Sequence, residues 1–341
     1  MSSENVEVFL ASVPENEIIP DKTFAQRTVP VPSASNLKEG QLLVETLYVS
    51  LDPILRKWLT APNPAMNMKI GDRMLSPTLA RVLASRFSTY EVGDLVNSWT
   101  GWVNYAIVDA DQVQKAPLPE GAKVSDALGL LGLTGLSAYV GMLRIGRPKK
   151  GETVVVSAAA GAVGNVAAQI AKIQGARVVG IAGGAEKCRF LVEELGFDAA
   201  VDYKAADFEE KFAEAVGAGI DVYFDNVGGK ILQMALDKAN KLSRIVICGA
   251  VSIYNKTDTY SGIKDAYRLA LLSITVQGFN AFDYLSEFPN ARGDILKWTQ
   301  EGQLQRAETV VRGGLEKAPA ALADLLKGKN VGKMVLEVKA P

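Results

Sequence analysis

Histidine is absent from this 341-residue chain. That absence removes His-based metal sites, Ser-His and Cys-His nucleophile pairs, and the commonest general acid or base. Chemistry here must use tyrosine, lysine, carboxylates, water or a bound cofactor. Cysteine is nearly absent too, with only Cys188 and Cys248 present. No disulfide framework follows, a reducing compartment is expected, and both thiols read as small buried packing. A charge excess is also missing, since 37 basic residues face 38 acidic ones. Such a balance gives no electrostatic attraction toward nucleic acid or an anionic membrane, so neither is expected as a partner. No apolar run reaches the ~20 residues of a membrane span. The long uncharged stretch 127–143 is interrupted by Gly129, Gly132, Gly135 and Gly141 and reads as a buried helix. The start, "MSSENVEVFLASVPENE", lacks the basic residues and apolar core of a secretory signal, and the end, "VLEVKAP", matches no prenylation or retrieval tag; a cytoplasmic location is expected.

What is present is apolar material enough for sizeable cores, at 48% of the chain. From Thr153 onward the short runs "TVVVS", "RVVGI", "IDVYF", "SRIVIC" and "SITVQGF" alternate with segments of helical length. Near-continuous Val and Ile mark strands buried on both faces, which predicts an α/β fold with a doubly wound parallel sheet. Between the first two runs, Val166, Ile170 and Ile173 fall on one side of a helix that can pack on that sheet. Before about residue 125 the texture is turn-rich and strand-like, as in "QLLVETLYVSLD" and "YEVGDLVNSWTGWVNYAIVD". A mostly β domain over 1–125, completed by 301–341 through the strand-like "GKNVGKMVLEVK", and a nucleotide-binding domain over 126–300 are the expected division.

The stretch "VVVSAAAGAVGNVAAQIAK" is where strand gives way to helix. A dinucleotide-binding turn carries three glycines, one for the tight turn, one for backbone approach to the pyrophosphate, one for helix–strand packing. Here those places hold Ala159, Gly161 and Gly164. The two that admit phosphate and allow close packing are kept, so a helix N-terminus can face a diphosphate. The second strand then ends in "AGGAEKCR". Small residues there, Gly183 among them, leave room for a 2′-phosphate, and Lys187 can pair with it. Glu186, the residue placed to bind an NAD ribose, sits at a helix start where an acid is ordinary dipole compensation. NADPH is the cofactor expected.

The motifs "AAAGAVGNVAAQIAK", "AGGAEK", "LGFDAAVDYK", "VYFDNVGG", "CGAVSIYN", "GFNAFDY" and "GKNVGK", in that order, closely resemble the zinc-independent medium-chain dehydrogenase/reductase superfamily. Within it they resemble the branch of leukotriene B4 dehydrogenases, prostaglandin reductases and plant or fungal double-bond reductases. The resemblance implies a GroES-like β domain around a Rossmann domain, with no metal. It implies that Gly161, Ala162, Val163 and Gly164 bind the diphosphate and that Lys187 and Tyr203 hold the 2′-phosphate. Asn226 would contact the ribose region, and the turn 248–254, with Cys248, Gly249 and Tyr254, would run beneath the nicotinamide half. Phe279, Asn280 and Ala281 would border the carboxamide, and Asn330 would close over the cofactor. A homodimer joined by sheet extension through "SITVQGF" is implied as well.

The substrate side departs from the family. "DPILR" places Ile54 where a tyrosine is usual, and "MLSPTLARV" puts Pro77 near another tyrosine position. The reaction implied is hydride transfer from NADPH to the β-carbon of an α,β-unsaturated aldehyde or ketone. Tyr254 is the candidate hydrogen-bond donor, since a phenol with a pKa of about 10 keeps its proton at neutral pH. Ile54, Trp58, Tyr254 and Phe279 are the expected pocket, suited to a bulky apolar or aromatic enone. Two alternatives stay open at this level: a quinone oxidoreductase, and a non-catalytic NADPH-binding protein.

Overall fold

The computed structural model of the chain describes residues 4–60, 68–116, 118–255 and 263–341. It divides into two units, one of residues 1–128, 309–330 and 334–341, the other of 129–308 and 331–333.

The first unit is built on a 7-stranded sheet centred on the long strand Gln41–Leu51. That strand is apolar along most of its length and buried on both faces, which needs partners on each side. Thr78–Ser85 and Tyr105–Asp109 pair with it antiparallel. Chain from the other end of the sequence also joins it, with Met334 opposite Leu51 and Leu336 opposite Val49. Beneath this sheet Leu55, Trp58 and Leu59 bury against Val49, Leu51 and Leu322. The helix Ala318–Leu326 is therefore part of the same core as the segment that follows "DPILR".

The second unit holds a 6-stranded parallel sheet. In chain order its strands are β1 Thr153–Val156, β2 Arg177–Ala182, β3 Ala199–Asp202, β4 Ile220–Asp225, β5 Ala239–Ile247 and β6 Thr275–Gly278. Their spatial order is β3-β2-β1-β4-β5-β6, that of a doubly wound dinucleotide fold. All pairs are parallel, as with Val154 beside Val178 on one flank and Val222 on the other. Two findings differ from the sequence pattern. "AAVD" forms β3 although its small residues carry no strand signature. "SITVQGF" is not buried on both faces; Thr275, Gln277 and Gly278 are exposed because β6 is the outermost strand and has β5 as its neighbour on one side.

The first helix after β1 is α1, Ala162–Ile173. Val166 and Ile170 are buried against the sheet and Ile173 is half-buried at its end. The glycine-interrupted stretch forms a helix over Leu133–Val140 that widens over Gly141–Gly146, where the Arg147 N–H reaches back five residues to the Met142 carbonyl at 2.7 Å. Its glycines permit close approach: a Cβ on Gly135 would lie 1.8 Å from the Leu130 carbonyl oxygen, and one on Gly141 would lie 2.6 Å from the Phe224 ring. Among the described residues no helix is long and apolar enough to cross a membrane.

Candidate active site

The sites of open α/β sheets lie outside the carboxyl ends of the strands. At the end of β1 the chain turns sharply, and the left-handed residue of that turn is Ala158, at φ 46°. Ala159, the place of the missing glycine, has no such demand. Its methyl is fully buried and faces Gly180 of β2, where an added Cβ would stand 3.1 Å from it. The turn glycine is dispensable because the strain sits one residue earlier and the methyl has room. Gly164 is indispensable for packing, since a Cβ there would lie 2.3 Å from the Ala158 carbonyl oxygen. Gly161 stands at the N-cap of α1 and offers no capping side chain. The first-turn amides of Ala162, Val163 and Gly164 are thus presented as anion donors with the helix dipole behind them. Gly332 covers this loop from the far end of the sequence, donating its N–H to the Ala160 carbonyl at 2.8 Å.

At the ends of β2 and β3 a second cradle forms. The Tyr203 ring lies over Gly183 so closely that a Cβ would be 2.7 Å from Cε1, and the Lys204 stem flanks the same point at 3.0 Å. Asp202 is tied to backbone, its Oδ1 accepting from Gly184 N–H at 2.8 Å and Lys204 N–H at 2.9 Å. Lys187 enters from the helix Ala185–Arg189, half-buried, its ammonium pKa lowered by burial and by the nearby charge of Lys204. Glu186 is exposed in that helix's first turn. The arrangement fits a phosphate: bare Cα, aromatic roof and two cations.

A buried carboxylate organises the ends of β4 and β5. Asp225 accepts from Ser157 Oγ at 3.0 Å, Tyr223 hydroxyl at 2.9 Å, Val227 N–H at 3.0 Å and Gly228 N–H at 2.9 Å. Burial pushes its carboxyl above the usual range against these donors, which pull the other way. Its main-chain oxygen accepts from Cys248 and Gly249, and the Asn226 carbonyl accepts from Val251 N–H at 3.1 Å. The Asn226 side chain donates to the Ser157 carbonyl at 2.7 Å. The turn carrying Tyr254 is therefore stitched to "DNVGG". Cys248 and Cys188 are each half-buried rather than enclosed, a correction to the packing expectation, yet burial and Asp225 push the Cys248 thiol up to about 12. It stays protonated and is not a nucleophile.

The Tyr254 hydroxyl oxygen sits over Gly249 and accepts from the Ala250 N–H at 3.4 Å. Burial foremost, then Cys248 and Asp225, raises its pKa. An accepting, firmly protonated hydroxyl keeps its own proton to donate. After β6, Phe279 packs edge-on to Tyr284 with centroids 6.4 Å apart, Asn280 accepts from Phe282 N–H at 3.2 Å, and Ala281 is buried.

The second unit thus brings together Gly161 to Gly164, Gly183, Lys187, Tyr203, Asn226, the 248–254 turn and 279–281 along one sheet edge. Ile54, Trp58 and Asn330 belong to the first unit. Ile54 is 41% exposed at the head of the helix Leu55–Trp58. Trp58 is buried in that unit's core and packs tilted against Trp99, with centroids 6.0 Å apart, and Trp99 is the exposed ring of the two. Asn330 is buried and lies two residues before Gly332, whose N–H meets the Ala160 carbonyl.

Residues 162–297 match the family model described as zinc-binding dehydrogenase, and 7–116 match the N-terminal domain of oxidoreductase. NADPH-dependent curcumin reductase of Escherichia coli is 43% identical over 88% of each chain. Prostaglandin reductase 1 of Bos taurus is 41% identical over 92% of this chain and 93% of its own. The crystal structure of CurA in complex with NADPH from Vibrio vulnificus matches with a TM-score of 0.92 at 39% identity, over 98% of this chain and 100% of that one. The chain belongs to the zinc-independent reductase branch of the medium-chain dehydrogenase/reductase superfamily.

The zinc of the family model's description has no ligand set here: the chain has no histidine, and among the described residues no group of three Cys, Asp or Glu could hold an ion. Reading this reductase from sequence passed over Ser157, Asp225, Trp99 and Lys204. Asp225 had a signal, a carboxylate closing the apolar run "VYFD", where burial demands donors. Lys204 had none beyond following Tyr203.

Proposed function

We propose that this protein reduces the carbon–carbon double bond of α,β-unsaturated aldehydes and ketones with NADPH. It is an NADPH-dependent oxidoreductase; when bound, the cofactor supplies a hydride, here to the β-carbon. The first-turn amides of α1 hold the diphosphate and Lys187 with Tyr203 holds the 2′-phosphate. Asn226 and the 248–254 turn support the nicotinamide half, and Phe279, Asn280 and Ala281 border it. The Tyr254 O–H donates to the substrate carbonyl oxygen, where negative charge develops as the β-carbon is reduced. Ile54 contributes shape and no hydrogen bond, which suits a bulky apolar or aromatic enone; solvent water protonates the α-carbon. The observation that carries this reading is the Tyr254 hydroxyl, which accepts from Ala250 and so has its proton left to give.

A homodimer forms along β6. Its exposed outer edge and the exposed Leu242, Tyr267 and Leu271 support pairing with a second copy. Incubation with NADPH and a panel of aryl enones, alkenals and quinones tests the activity: saturated carbonyl products two hydrogens heavier are expected, whereas hydroquinones alone would favour a quinone reductase. Light scattering tests the dimer, with twice the chain mass expected.

A further inference from the structure

We propose that Lys204 is a second phosphate-binding cation which, with Lys187 and Tyr203, makes the 2′-phosphate site a two-lysine clamp and sets the preference for NADPH over NADH. The proposal rests on NADPH as the cofactor and not on which double bond is reduced.

The geometry is local to the ends of β2 and β3. These are adjacent parallel strands, with Asp202 beside Ala182, so the residues that follow them emerge on the same side. From β2 comes Gly183, whose bare Cα leaves a floor with no side chain. From β3 come Tyr203 and Lys204, whose ring and stem lie 2.7 and 3.0 Å from where a Cβ on Gly183 would stand. The Lys204 ammonium lies 5.9 Å from the Tyr203 ring centroid, so lysine and tyrosine present one edge. Its backbone is fixed by the Asp202 carboxylate, which leaves the exposed side chain, not the main chain, free to adapt. Among the described residues Lys204 makes no ion pair. Lys187 approaches near enough for the two ammonium charges to oppose each other. Two like charges held close raise the free energy of the site, and a dianion between them lowers it. A 2′-phosphate carries about −1.5 to −2 charges at pH 7, more than one lysine neutralises. A ribose 2′-hydroxyl offers nothing to the second cation.

The test is binding, read from quenching or enhancement of nicotinamide fluorescence with NADPH and NADH, and by calorimetry with 2′,5′-ADP. In Lys204→Met the NADPH Kd is expected to rise about tenfold, the scale of one charge-assisted hydrogen bond, and the 2′,5′-ADP Kd with it. NADH binding is expected to stay within about twofold, and Lys204→Arg to recover most of the loss. Loss for NADPH no greater than for NADH overturns the proposal. A wild-type protein that binds both dinucleotides alike overturns the cofactor reading itself, and the proposal with it.

Discussion

Ser157 Oγ donates to Asp225 Oδ1 across 3.0 Å, joining the chain just past β1 to the end of β4. The same oxygen accepts from the Asn226 N–H at 2.9 Å. One buried hydroxyl therefore fixes both the carboxylate that organises the 248–254 turn and the asparagine expected at the ribose. Ser157→Ala should leave the Asn226 N–H without its acceptor and destabilise the protein by about 1–3 kcal/mol. Denaturant unfolding measures that, and an accompanying loss of NADPH affinity separates this position from an ordinary core serine.

Gly164 and Gly293 make opposite predictions from the same substitution. A methyl on Gly164 meets backbone at 2.3 Å, so Gly164→Ala must displace the phosphate loop and should cost about 1–3 kcal/mol and more than tenfold in NADPH affinity. Around Gly293, inside the helix Phe288–Gln300, there is open space within 4 Å. Gly293→Ala should stabilise by about 0.5–1 kcal/mol with cofactor binding unchanged. Thermal melts with and without NADPH check both.

These residues also indicate what a sequence can reveal. Val154, Val155 and Val156 announce a doubly covered strand because burial on two faces leaves no polar alternation to obscure it. Ala199–Asp202 does not, because its neighbour β2 and not its own side chains makes it a strand. The motif glycines were legible where chemistry demands no Cβ, as at Gly164. The left-handed turn at Ala158 was not, since an alanine carries no sign of its φ. Lys204 and Trp99 are surface types in sequence; only the strand ends and the Trp58 ring give them a place.

Tyr254→Phe removes the donor while keeping the ring. If the hydroxyl serves the substrate carbonyl, kcat should fall about 10²-fold, the scale of one lost oxyanion donor, with the NADPH Kd within about twofold of wild type. A loss of NADPH affinity as large as the loss of turnover would move the hydroxyl to the cofactor.

Alkaline pH should expose a second tyrosine. Tyr139 donates to Asp294 at 2.7 Å, and burial with this carboxylate lifts its pKa from 10.0 to about 12. The folded protein therefore holds this proton where the unfolded chain has released it. Its contribution is whole below pH 10 and is lost as pH rises from there through about 12. Urea unfolding across that window should show a steeper decline for wild type than for Tyr139→Phe, and equal slopes would place the tyrosine's proton outside the stability balance.

The proposed reaction delivers a hydride to the β-carbon of an enone. The most direct measurement is turnover of an aryl enone with NADPH deuterated at its transferable position, followed by mass spectrometry and NMR of the product. One deuterium at the β-carbon of a saturated ketone and a solvent proton at the α-carbon are expected. Deuterium on the carbinol carbon of an allylic alcohol, or label in no product while NADPH binds tightly, would contradict that reaction.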